Sequence, residues 1–152
     1  MSQSNPVHRE IRGVLVLVGK YFDNRLQKQP LQVLNIMVHD LRIALHQMIL
    51  DHFLPLPLDQ AREFRSALVD QLMGVYGQYQ SKCSKAEDKE HCHYLIKQIV
   101  LSFELAEQIM EEIPHDPITQ RILAVDIPIL RPFDYGVGVA SKVVQDFPKK
   151  TR

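Results

Sequence analysis

Apolar side chains recur three and four positions apart along most of this chain. That is the spacing of one face of an α-helix, which turns once in about 3.6 residues. The pattern predicts four long helices. The first opens after Asn5 and Pro6, a capping residue and a proline suited to a first helical turn. Val7, Ile11, Val14, Val18 and Phe22 form its stripe. Within it, the short branched run GVLVLVG also fits a strand, and helix is the preferred reading.

The second helix is expected from Pro30 to about Leu54. Its broad apolar face is Leu34, Met37, Val38, Leu41, Ala44, Leu45 and Met48. A narrower stripe, Ile36, Ile43, Leu50 and Leu54, runs along another side. Two polar strips separate the faces: Asn35, His39, Arg42 and His46 on one side, Asp40, Gln47 and Asp51 on the other. A helix apolar on two sides packs on two sides, so it is central in its own domain or shared with another chain. The run PLPL then stops it, since proline disfavours helix at itself and just before itself.

The third helix is expected from Asp59, a good N-cap, to about Cys83. Glu63 lies in its first turns, and Phe64, Ala67, Leu68, Leu72, Val75, Tyr76 and Tyr79 form its core face. The fourth starts near Ala86 with acids in its first turn, where the helix dipole favours them. Leu95, Ile96, Ile99, Val100, Phe103, Ala106, Met110 and Ile113 carry it to Pro114. Beyond Pro114 the pattern loosens. DPITQRILAV suits a short helix capped by Asp116, DIPILRPFD an extended linker, and YGVGVASKVVQDF a last short helix before the basic tail. The expected fold is all-α: an antiparallel bundle of four long helices with a short-helix, proline-containing C-terminal extension.

A chain of 152 residues is one domain, with the core over about 6–113 and the extension over about 114–152. The formal net charge is zero, so nothing overall invites a polyanion. The charge is nevertheless uneven. Arg9, Arg12, Lys20, Arg25 and Lys28 make the first segment basic, and Glu104, Glu107, Glu111 and their neighbours make the fourth helix acidic. Such segments attract each other, inside one molecule or between copies. The N-terminal segment has no apolar signal core, and its longest strongly apolar run, Val14 to Val18, is far too short to span a bilayer. A cytoplasmic location, no membrane contact and two reduced cysteines are therefore expected.

The stretch SKCSKAEDKEHCHY gathers Cys83, His91, Cys92 and His93. A zinc site needs ligands that converge tetrahedrally, whereas consecutive helical residues point about 100° apart. The paired C-x-x-C spacing is missing too, so no metal is expected. A disulfide across the helical hairpin is geometrically possible but disfavoured in a reducing compartment. The expectation is a polar turn with a semi-buried cysteine on each side. Glu90 and His93 have the Glu-x-x-His spacing of di-iron bundles, but the second helix supplies no glutamate and the third only Glu63. Ser102 and Ser141 lie in no nucleophile elbow, and YGVGV lacks a preceding strand and a phosphate-binding lysine.

Two resemblances bear on function. His39-Asp40-Leu41-Arg42, on a long helix before a short loop and a second long helix, resembles the phospho-accepting box of sensor histidine kinases. It implies His39 as phosphoryl acceptor and Asp40 as the acid that positions its imidazole. The small polar residue and proline that usually follow that box are replaced by Ile43 and Ala44, and no nucleotide-binding domain follows. Residues 41–113 resemble in pattern the small four-helix-bundle family of ribosomal intervening-sequence proteins and diversity-generating retroelement accessory proteins. That likeness implies self-association and a nucleic-acid surface, here Arg9, Arg12, Lys20, Arg25 and Lys28.

No catalytic residue and no cofactor emerge from the sequence. The expected function is a non-catalytic interaction protein: a homo-oligomeric scaffold, an adaptor or an accessory subunit. Its expected interface is Ile36, Ile43 and Leu50, with Glu104, Glu107 and Glu111 steering a basic partner. A nucleic-acid accessory and a phosphotransfer protein using His39 are the alternatives.

Overall fold

The structure, a computed structural model, describes residues 6–130. In order they form α1 (Pro6–Leu26), α2 (Leu31–Met48), a five-residue π turn (Ile49–Phe53), α3 (Leu58–Lys82), α4 (Ala86–Glu112) and α5 (Pro117–Val125). The described residues include no strand. The short helix expected near the end of the chain, and the basic tail, lie outside the described residues.

The run GVLVLVG is helical. A half-buried strand would bury Val14, Val16 and Val18 together, whereas Val14 and Val18 are buried and Val16 is 52% exposed. Tight turns join α1 to α2 and α3 to α4, so each pair is an antiparallel hairpin. The hairpins meet through α1 and α3. Phe22 and Tyr79, each near the C-terminal end of its helix, stack with ring centroids 4.3 Å apart, so α1 and α3 run parallel. The bundle therefore has two aromatic ends. Phe53, Phe64 and Phe103 cluster at one, with centroids 5.1–6.1 Å apart; Tyr21, Phe22 and Tyr79 close the other. Between them Ile11, Leu41, Leu45, Leu68, Leu72 and Leu95 are fully buried.

Three local departures from the sequence reading matter. Helix α2 ends earlier than expected and passes into the π turn, where Leu54 N–H donates to the Ile49 carbonyl over 2.9 Å. The wider turn lets Ile49 and Phe53 both reach the core. Helix α3 begins one residue before Asp59, with Pro57 at the cap position and no side-chain cap, so Asp59 acts in the first turn through the helix dipole. The stretch after α5 is not a free linker, because Ile127, Ile129 and Leu130 are buried. Asp116 caps α5 as expected, accepting from the Thr119 N–H at 3.1 Å.

Candidate interaction surface

Helix α2 points Leu34, Val38, Leu41, Leu45 and Met48 into the core. At about 100° per residue, Ile36 and Ile43 fall on the opposite side of the helix. They are 62% and 45% exposed. Leu50, expected on the same stripe, is half-buried against the core instead. Its carbonyl accepts from Arg121 Nη1 at 2.9 Å, and the neighbouring Asp51 carboxylate accepts from Arg121 Nη2 at 3.1 Å, so α5 docks on the π turn there. The exposed stripe is thus Ile36 and Ile43, two helical turns apart. His39 and Asp40 flank it, both exposed.

The side of α2 that carries Arg42 is also engaged. Arg42 Nε donates to the Ile129 carbonyl at 3.0 Å, and Arg42 Nη2 to the Leu130 carbonyl at 2.6 Å. Leu130 has φ 52°, a left-handed backbone that costs a leucine about 1–2 kcal/mol. The guanidinium fork holds it there.

Glu107 and Glu111 are satisfied within the chain. Arg62 donates to Glu107 at 3.2 Å and to Glu111 at 2.5 Å, and Arg65 donates to Glu107 at 2.6 Å. Glu104 lies 4.0 Å from Arg65. These pairs zip α3 to α4, and the arginines responsible went unread in the sequence. Their signal was present: two arginines three apart on α3 opposite acids three and four apart on α4.

The basic residues of the first segment do not form one patch. Arg9, Arg12 and Lys20 share the exposed side of α1. Arg25 lies about half a turn away and pairs with Asp88 at 3.5 Å. Lys28 adopts φ 59° just past the helix end.

The cysteine-rich stretch is the expected polar turn, with residues 84–87 exposed and a cysteine on each side. Cys83 and Cys92 are free and buried, more deeply than the expected semi-buried thiols. Tyr21 Oη lies 2.5 Å from His91 Nε2. Burial pushes the Tyr21 hydroxyl up to about 12 and the His91 imidazole down to about 3. Both groups are therefore neutral at neutral pH, and they share one hydrogen bond whose direction follows the imidazole tautomer. Burial, with the nearby Cys83 adding to it, raises the Cys92 thiol to about 12, so it is not a nucleophile at neutral pH. Burial also raises Tyr79, whose hydroxyl lies beside Cys83. Among the described residues no group of three or more His, Cys, Asp or Glu side chains is placed to hold a metal ion.

Two features escaped the sequence reading. Helix α5 turns Gln120 and Ala124 inward and leaves Ile118, Ile122 and Val125 exposed at 74%, 62% and 53%. Between α3 and α4, an open apolar groove of about 330 Å³ is floored by Val69, Met73, Ile96 and Val100 and edged by Lys97 and Glu104. Met73 is 48% exposed in it.

These features define an all-α helical bundle that displays apolar side chains on its outside, most of them on α2 and α5. The chain shows no significant match to any protein-family model, curated protein or solved structure. No helix among the described residues is long and apolar enough to cross a membrane.

Proposed function

We propose that this chain works by contact, as a homo-oligomeric scaffold, an adaptor or an accessory subunit, with the outer side of α2 as its principal contact. One observation carries the reading: Ile36 and Ile43 stand exposed on the side of α2 opposite its buried face. A partner that covers these two side chains takes their apolar surface out of water, which favours association. Sedimentation equilibrium tests it. The native chain is expected at a multiple of 17.6 kDa, and Ile43→Asp at a lower mass. A native chain that stays at its own mass at every concentration defeats the proposal.

A nucleic-acid role has narrower support, from Arg9, Arg12 and Lys20 on one exposed side of α1. It requires affinity that falls steeply with salt and is lost when these three charges are reversed. The phosphotransfer reading rests on an exposed His39 beside Asp40, with Arg42 Nη1 3.4 Å from the imidazole Nδ1. It requires phosphate uptake from a phosphorylated receiver domain that His39→Ala prevents.

A further inference from the structure

We infer that the segment following Leu130 covers Ile36 and Ile43 of its own α2 through Phe133 and Tyr135, so that a partner must displace it; this rests on the contact reading proposed above and names how that contact is controlled. The position and heading of the chain at residue 130 carry the inference. Arg121 Nη1 donates to the Leu50 carbonyl at 2.9 Å, and Arg42 Nη2 donates to the Leu130 carbonyl at 2.6 Å. Between residues 121 and 130 the chain therefore runs beside α2 from its C-terminal end towards its N-terminal end. From Leu50 to Arg42 it passes about 12 Å of helix. That heading leads away from the exposed side of α5 and towards the level of Ile36.

The stripe begins one residue from the clamp. Ile43 follows Arg42 directly and lies about 100° around the helix from it; Ile36 lies about 120° around and about 9 Å further along. The next large apolar side chains after Leu130 are Phe133 and Tyr135, with Val137 and Val139 behind them. Three residues of chain span up to about 10 Å and five up to about 17 Å, so both rings are tethered within reach of the stripe. Each ring buries about 150–250 Å² when fully covered, so the segment gains from the contact as the stripe does. A short tether also sets an effective concentration of about a millimolar, above that of a free partner at micromolar levels. The same segment of a second copy has no such advantage. A stripe that is open for only a fraction of the time binds a partner more weakly by that fraction.

Thiol labelling reads the cover directly. Ile43→Cys places a thiol on the stripe, while the native Cys83 and Cys92 are buried and supply the slow background. In this full-length variant, at a dilution where it sediments as a monomer, labelling by an aromatic disulfide reagent is expected to quicken about tenfold when Phe133→Asp and Tyr135→Asp are added. In the native background the same two tail substitutions should tighten assembly by at least that factor. Both lie beyond the Leu130 clamp, and unchanged helical circular dichroism checks that the bundle is intact. Equal labelling rates with and without the tail substitutions overturn the cover and leave the contact reading standing. Tail substitutions that weaken assembly overturn it too, since the segment then bridges copies. A chain that never assembles, with or without them, defeats the contact reading, while faster labelling in the same chain still upholds the cover.

Discussion

Lys28 is a lysine in a position built for glycine. It follows α1 with φ 59°; its N–H donates to the Arg25 carbonyl at 3.0 Å, and Gln29 N–H reaches back to Asn24 at 3.1 Å. This is the hydrogen-bond pattern of a Schellman cap, whose left-handed residue is usually glycine because a Cβ is unfavourable there. Lys28→Gly should therefore raise unfolding stability by about 0.5–1 kcal/mol in urea melts, less whatever freedom glycine adds to the unfolded chain. His91 sets a second expectation. Its folded value, near 3, lies below the ordinary 6.5, so the unfolded chain binds the extra proton first as pH falls. The contribution of this group is complete above about pH 6.5 and is lost progressively below it, by at most about 2 kcal/mol at pH 5. His91→Gln should remove that slope, leaving a difference in pH–stability profiles between the two proteins. Residue identities also exposed the limits of sequence reading. Cys83 and Cys92 were correctly placed on either side of a turn, but the depth of their burial depends on α1, which contributes Tyr21 and Phe22 from some seventy positions away.

Among the elements, the four long helices were legible because each carries a continuous apolar stripe, and burial follows those stripes closely. The π turn was not legible. Its residues continue the helical pattern of α2, and only docking of Ile49 and Phe53 in the core selects the wider turn. The buried stretch over 127–130 was missed for a related reason. Proline and alternating apolar residues read as a linker, and Arg42 on α2, far away in sequence, decides that it lies against the bundle. Arg42→Ala should free these carbonyls and relax Leu130. The expected result is a loss of about 1–3 kcal/mol, with faster amide exchange confined to residues 126–130. The α3–α4 zipper is partly exposed and screened by salt. Glu107→Gln should accordingly lower the melting temperature at low ionic strength and have a smaller effect at high.

For the whole molecule, the pairing of two hairpins through parallel α1 and α3 places one aromatic cluster at each end of the core. Phe103 touches both Phe53 and Phe64, so it joins α4 to the π turn and to α3. Phe103→Ala should cost about 3–5 kcal/mol in chemical denaturation, the loss expected for an aromatic cavity in a packed core. The same arrangement governs what remains outside. Once α1 and the stretch after α5 have taken two sides of α2, Ile36 and Ile43 remain on the outward side. The candidate surface was therefore half legible: the stripe was visible as a second apolar periodicity, but the loss of Leu50 to the core and the open groove between α3 and α4 were not.

The sequence by itself determined the helices, their order and their inward faces, because those follow from local spacing, proline and the helix dipole. Tertiary structure alone decided which helices are neighbours, which charges are used up inside the protomer, and which apolar residues are left over. Those outcomes depend on how side chains from distant segments meet, and no local pattern encodes that meeting. The acids of α4 illustrate the difference. In the sequence they are a run of negative charge available to a partner; in the fold Glu107 and Glu111 are held by Arg62 and Arg65, because two helices with complementary spacing lie side by side.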